Sequence, residues 1–264
     1  MNNGNYYGGC DIGSTTGKAV IIDEDEKIVS SAIIRSEIDP EITAKKVLAL
    51  ACERIENLES INKLNNLIGT GYGRKEVPFA KENISEISCH AMGVFCCNPE
   101  IRTIIDIGGQ DVKSIALGDD GSILDFAMND KCAAGTGRFI EMMSRIFNLD
   151  LEAFSDLSLK AKQTIPVTSQ CSVFAETEVI SLLSKRKSPS DIAAGIQASV
   201  AKRCFGLVKK VGIKPKITIT GGCAKNRGLL KSISKRFRSE IFELDVDPQL
   251  IGAFGAAIFA RKNA

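Results

Sequence analysis

Residues 105–123, IDIGGQDVKSIALGDDGSI, repeat the pattern of residues 10–28, CDIGSTTGKAVIIDEDEKI. Each copy runs from an apolar strand into the turn DIG, carries a lysine a few residues on, and passes an acidic turn before the next strand. Short apolar runs broken by glycine and acidic residues read as strand, turn and strand. An internal repeat of this kind means two domains built on one plan. The pair therefore decides the fold class: α/β, with duplicated domains.

Working outward from the first copy, residues 6–14, 17–25 and 27–36 predict a three-stranded meander. Apolar positions at helical spacing (Val47, Leu48, Ala51, Ile55) predict a helix over 42–58, followed by a strand at 67–72 and a helix at 85–95. Near Pro99 the plan restarts, and helices are predicted over 137–147, 172–184 and 191–211. The strand ITITGG at 217–222 leads into another helix, and a small-residue helix at 251–261 closes the chain. These readings divide the chain into a first domain of residues 1–97 with 249–264 and a second of 98–248.

The 264 residues suffice for a sizeable core, and 34 basic against 32 acidic residues leave a formal charge of +2. With the signs interleaved and no polybasic tail, neither nucleic acid nor a lipid surface is expected as a partner. The opening MNNGNYYGG lacks the regions of a signal peptide, and no later run reaches the length of a membrane span, so a cytoplasmic protein is expected. Nine cysteines at irregular spacing, with no CxxC pair, argue against a disulfide framework, a zinc ribbon or a ferredoxin-type cluster loop.

DIGSTTGK, residues 11–18, offers a phosphate cradle: glycine admits close backbone approach, Ser14, Thr15 and Thr16 bring hydroxyls, and Lys18 brings charge. It is not a Walker A loop, because Ile12 stands where the first glycine belongs and Ala19 follows the lysine, and GxGxxG is absent. In the second copy Asp106 ends an apolar strand, Gly108 and Gly109 allow the backbone to wrap an oxyanion, and Gln110 and Asp111 add polar side chains. Two acid-tipped turns could hold a triphosphate with its magnesium, and phosphoryl transfer needs little beyond such positioning and charge neutralisation. A third glycine turn, TGGCAKN at 220–226, suits the flat face of a purine or ribose.

DIGSTTGK, DIGGQDVK (106–113), TGGCAKN and QLIGAFGAA (249–257) resemble, in order, the phosphate-1, phosphate-2, adenosine and second connector elements of the fold shared by actin, sugar kinases and Hsp70 chaperones. Within that superfamily GTGYGR (69–74), EISCHAMG (86–93), NDKCAAGTGRF (129–139) and CSVFAETEVIS (171–181) resemble the activator ATPases of 2-hydroxyacyl-CoA dehydratases. That family also includes ATPase subunits of benzoyl-CoA reductase and reductases of double-cubane cluster proteins. The resemblance implies duplicated actin-like (ribonuclease H-like) domains with a nucleotide cleft between them, binding ATP or ADP with Mg2+. It assigns the phosphates to Gly13, Ser14, Thr15, Thr16, Gly17 and Lys18 and to Gly108, Gly109 and Gln110. The adenosine falls to Gly221, Gly222 and Asn226, with Gln249 completing the nucleotide set. Asp11 and Asp106 take the role of orienting magnesium-bound and attacking water, helped by Gln110.

Cys132 and Cys171 differ from the other seven cysteines because each is predicted at a helix start, where unpaired amides and the macrodipole favour thiolate. The small residues Ala133, Ala134, Gly135 and Gly137 leave room for a bulky group or a symmetry mate. Two ligands cannot complete a cubane that needs four, and a two-fold dimer supplies the missing pair. The resemblance implies the same arrangement, a homodimer sharing one [4Fe-4S] cluster on Cys132 and Cys171 of each subunit. It further implies an oxygen-sensitive protein of anaerobic metabolism that takes electrons from ferredoxin or flavodoxin. The electron passes to an iron-sulfur acceptor, a 2-hydroxyacyl-CoA dehydratase or alternatively a double-cubane cluster protein. The more distant alternatives are a sugar or acid kinase of the same superfamily and a nucleotide-dependent scaffold. Cys223 stands where the family more often has an aliphatic residue; His90 is expected to be structural, and Glu176 and Glu178 to favour the dipole of the helix they open.

Overall fold

A computed structural model describes residues 5–56, 58, 60–169 and 171–264. The N-terminal part of the leader reading, the Asn57 position of the first predicted helix and Gln170 lie outside the described residues. The chain divides into two compact units, one of residues 1–100, 119–123 and 244–264 and one of residues 101–118 and 124–243.

In the first unit β1 (Tyr7–Ile12), β2 (Thr16–Ile22) and β3 (Ile28–Arg35) form the antiparallel meander. After helix α1 (Pro40–Cys52), β4 (Asn66–Thr70) adds parallel to β1 and the short β5 (Glu82–Asn83) parallel to β4, giving the order β3-β2-β1-β4-β5. Helix α1 starts two residues earlier than its periodicity predicts. Asp39 caps it by accepting from the Glu41 amide at 2.8 Å, and Pro40 fits its first turn. Helix α2 (Glu86–Cys97), capped by Ser85, packs against the last helix of the chain, and that helix also covers β1 and β4.

The second unit repeats the plan. Strands β6 (Thr103–Ile107), β7 (Val112–Leu117) and β8 (Ile123–Asn129) lead into helices α3 (Gly137–Ile146), α4 (Leu151–Leu159), α5 (Ser172–Ser184) and α6 (Pro189–Val211). Then come β9 (Ile217–Thr220), α7 (Arg227–Phe237) and β10 (Ile241–Phe242), and α8 (Ile251–Lys262) returns to the first unit. The sheet order β10-β9-β6-β7-β8 is that of the first sheet read from the other end. Helix α4 was not foreseen; Asp150 caps it, accepting from the Ala153 amide at 2.7 Å, and it packs on α6 and α7. Phe139, Ile140, Met143 and Phe154 from α3 and α4 share one core with Ile196, Val200 and Cys204 of α6. No helix among the described residues is long and apolar enough to cross a membrane.

Candidate functional site

The central strands β1 and β6 are buried along almost their whole length, yet each carries an aspartate near its end. Asp11 is 6% exposed and Asp106 4%, and a carboxylate buried to that degree needs a partner. The hairpin register supplies one: Asp11 lies opposite Lys18 and Asp106 opposite Lys113, with an N–O distance of 3.1 Å in both pairs. All four positions keep one offset, since 106 less 11 and 113 less 18 are both 95. The turns close alike, the Gly13 amide donating to Thr16 O at 3.1 Å and the Gly108 amide to Asp111 O at 3.0 Å. Lys18 was foreseen as a phosphate partner; Lys113 was read only as part of the repeat. Lys113 Nζ also reaches Asp111 Oδ2 at 2.6 Å, so one buried ammonium neutralises two carboxylates.

A second glycine turn abuts each aspartate. Gly71 follows β4 and Gly221 follows β9, both with left-handed backbone (φ +88° and +83°). A Cβ on Gly71 would sit 2.3 Å from Asp11 Oδ1, and one on Gly221 2.8 Å from Asp106 Oδ1 and 2.5 Å from Ile107 O. Thr220 Oγ1 donates to Asp106 Oδ1 at 3.1 Å. In the first unit a Cβ on Gly252 of α8 would meet Asp11 Oδ2 at 3.1 Å and His90 Nε2 at 2.9 Å, which places His90 beside this carboxylate.

The other candidate residues distribute as follows. Ser14 and Gln110 are exposed at the tips of their turns, while Thr15, Thr16, Gly13, Gly108 and Gly109 are half-buried and Gly17 is buried under Thr43 of α1. Gly222 is exposed. Asn226 is the cap of α7: its Oδ1 accepts from the Leu229 amide at 2.9 Å and from Gln197 Nε2 at 3.1 Å. Gln249 lies in the first unit on the turn before α8, its amide donating to Asp247 Oδ1 at 2.9 Å.

Among the cysteines, burial pushes seven thiols upward: Cys52 to about 11, Cys89, Cys97, Cys204 and Cys223 to about 12, and Cys10 and Cys96 also up. That holds them as neutral thiols, poor metal ligands. Cys132 and Cys171 are both exposed. Cys171 is the N-cap residue of α5, as predicted. Cys132 is not at a helix start, because residues 133–136 form a turn before α3 in which Thr136 donates its amide and its hydroxyl to Ala133 O at 3.0 and 2.7 Å. Nor do the glycines of this segment stand open. Gly135 (φ +102°) lies under Arg203, and a Cβ on Gly137 would be 3.1 Å from Gly108 O and 3.3 Å from Cys223 Sγ. The first amides of α3 bond directly to the phosphate-turn candidate, Gly137 N to Gly108 O at 2.9 Å and Arg138 N to Gly109 O at 2.8 Å.

Arg203, a residue the sequence did not single out, ties the two cysteine segments together. Its guanidinium stacks 5.6 Å from the Phe139 ring of α3, donates from Nη2 to Ser169 O at 3.1 Å and from Nη1 to Ser199 O at 3.2 Å. Ser169 is held from its other side by Glu178 of α5, whose carboxylate accepts from the amides of Thr168 and Ser169 at 2.9–3.1 Å. Partial burial pushes Glu178 upward, but the hydrogen bonds from Ser169 and Thr168 outweigh it and hold the carboxyl at about 2. Glu178 is thus a brace for the Cys171 loop rather than only a dipole partner.

Comparison with known proteins agrees with this architecture. The chain is 44% identical over 259 residues to the 2-hydroxyisocaproyl-CoA dehydratase activator of Clostridioides difficile, covering 98% of this chain and 96% of that protein. Its structure superposes on the activator of the 2-hydroxyisocaproyl-CoA dehydratase from Clostridium difficile with bound ADPNP (TM-score 0.92, 42% identity, 98% and 95% of the two chains). It does so equally on component A of the Acidaminococcus fermentans (R)-2-hydroxyglutaryl-CoA dehydratase (TM-score 0.92, 38% identity, 98% of each chain). The duplicated sheets, the paired Asp–Lys hairpins and a family model matching residues 9–260 agree, and the chain belongs to the BadF/BadG/BcrA/BcrD ATPase family.

Proposed function

We propose that this protein is an ATP-dependent one-electron donor that activates an iron-sulfur enzyme of the 2-hydroxyacyl-CoA dehydratase type. The observation that carries the reading is the division of its cysteines: six are buried or half-buried, and of the three exposed thiols two, Cys132 and Cys171, lie in segments tied together through Arg203, while the third, Cys96, belongs to α2 of the first unit. Among the described residues no group of three or more His, Cys, Asp or Glu side chains could hold a metal ion. Two thiolates per chain are half the set a [4Fe-4S] cluster takes, which fits one cluster held by Cys132 and Cys171 of two subunits. When bound, such a cluster accepts and releases single electrons.

Asp11 and Asp106 are hard oxygen donors suited to magnesium-bound water. In the first unit, residues 13–18 present amides, hydroxyls and Lys18 to phosphate; in the second, Gly108, Gly109 and Gln110 do so beside the turn of Gly221 and Gly222. The amides of Gly137 and Arg138 bond to the carbonyls of Gly108 and Gly109, so movement of that turn on hydrolysis is passed to the Cys132 segment. Val173 and Phe174 follow Cys171 on α5 and are 66% and 68% exposed, apolar area of the kind that partner proteins cover.

Purification without oxygen followed by iron and sulfide analysis tests the reading. Four irons and four sulfides per dimer are expected, with Cys132→Ala losing the iron while retaining ADP binding; iron content unchanged by that substitution would refute it.

A further inference from the structure

Arg203 of α6 is held from three directions, and each contact leads to a different segment of the second unit. Within α6, Nη1 donates to Ser199 O and to Ser199 Oγ, both at 3.2 Å. On the Cys171 side, Nη2 donates at 3.1 Å to the carbonyl of Ser169, two residues before that cysteine. On the Cys132 side, the stem covers Gly135, where a Cβ would meet Arg203 Cδ at 3.0 Å, and the guanidinium lies 5.6 Å from the centroid of the Phe139 ring. Burial lowers the guanidinium from its ordinary value and the charge of Cys132 opposes that, which places the two side chains within electrostatic reach of each other. A guanidinium stays charged in proteins, and its rigid planar fork makes several directed contacts at once where an ammonium acts as a point charge. One side chain therefore ties both cysteine segments to the same helix.

The same side chain is also in line with the phosphate turn. Phe139 is the third residue of α3, and the two before it, Gly137 and Arg138, donate their amides to Gly108 O and Gly109 O at 2.9 and 2.8 Å. The first turn of a helix moves as one piece, so a shift of residues 108–109 slides the Phe139 ring across the guanidinium. We propose that Arg203 is the positioning residue through which the phosphate turn acts on the two exposed cysteines. It fixes the spacing of the Cys132 and Cys171 segments, and while it rests on Phe139 its charge raises the reduction potential of the group they hold. Uptake of one electron adds one negative charge to such a group, and a fixed cation nearby favours that more negative form. Displacing the guanidinium lowers the potential, the direction a strong reductant needs. The charge effect rests on the cluster reading above; the positioning does not need iron.

Two measurements test it. In the metal-free full chain, the rates at which a neutral maleimide labels Cys132 and Cys171 are followed by peptide mass spectrometry, once with magnesium ADP and once with magnesium ADPNP. The wild type is expected to differ between the two nucleotides by about fivefold or more at Cys132. Arg203→Met keeps the stem and removes the charge, and Phe139→Leu removes only the stacked ring; each should abolish that difference while retaining ADP binding. In the iron-loaded dimer Arg203→Met should lower the midpoint potential by about 59 mV or more, which is a tenfold change in the one-electron ratio. Arg203→Lys should restore the midpoint but only part of the nucleotide response, because it returns the charge without the fork. Wild-type labelling that ignores the nucleotide, a response that survives both substitutions, or a midpoint unmoved by Arg203→Met overturns the proposal. Failure of the cluster reading would appear separately, as a chain that binds no iron while its labelling still responds to nucleotide through Arg203.

Discussion

Lys113 shows how a single residue can be both structural and part of the site. It is 3% exposed, 3.1 Å from Asp106 and 2.6 Å from Asp111, so its removal would take the neutralising cation from two carboxylates, one of them in the sheet core. Breaking a buried pair of this kind costs about 3–5 kcal/mol. Lys113→Ala is expected to lower the unfolding free energy by that amount, read as a lower urea midpoint at unchanged slope. Glu178 works through hydrogen bonds instead. Its carboxyl is at about 2 in the folded protein against an ordinary value of 4.5. A depressed folded value stabilises above the unfolded one, so the brace on residues 168–169 is complete above pH 4.5 and is lost as pH falls toward 2. Glu178→Gln should raise amide exchange at Thr168 and Ser169 on the order of tenfold at neutral pH, the size of a charge-assisted hydrogen bond. In the wild type the same rise should appear only in acid.

At the scale of elements, the unit of design is a hairpin, a buried aspartate and a glycine turn arriving from the parallel strand beside it. Thr70 lies opposite Asp11 and Thr220 opposite Asp106, so the next residue, Gly71 or Gly221, must turn away with positive φ against the carboxylate. A side chain there meets both strain and the aspartate, and left-handed backbone at a non-glycine residue alone costs about 1–3 kcal/mol. Gly71→Ala and Gly221→Ala are expected to lose that much stability in thermal unfolding and, by displacing Asp11 or Asp106, to lose ATP hydrolysis by about 10²-fold. The junction of α3 with residues 108–109 belongs to the same scale. Its hydrogen bonds run from the first amides of a helix to the carbonyls of a turn, so any change in that turn shifts the whole helix.

For the whole molecule, the proposed function makes the dimer and the metal inseparable. A chain that supplies two thiolates reaches a four-thiolate group only by pairing, so metal binding contributes to association. Chelation of iron from the anaerobic dimer should therefore convert it to monomers in sedimentation, and reconstitution with iron and sulfide should restore the dimer.

The sequence by itself determined the duplication, the strand and helix order except for α4 and the two-residue strands β5 and β10, and the positions of the aspartate turns, because DIG with a following lysine occurs twice and strand periodicity is local. It also separated Cys132 and Cys171 from the other cysteines through the family pattern around them. Only the tertiary structure decided what joins these pieces. Gly137 gains its contact with Gly108, and Arg203 its place between the Cys132 turn and Ser169, from residues 29 and 34 positions away. The physical reason is common to all of them: hydrogen bonds, ion pairs and surface fields depend on distance in space, and spacing along the chain sets that distance only within one helix, strand or turn.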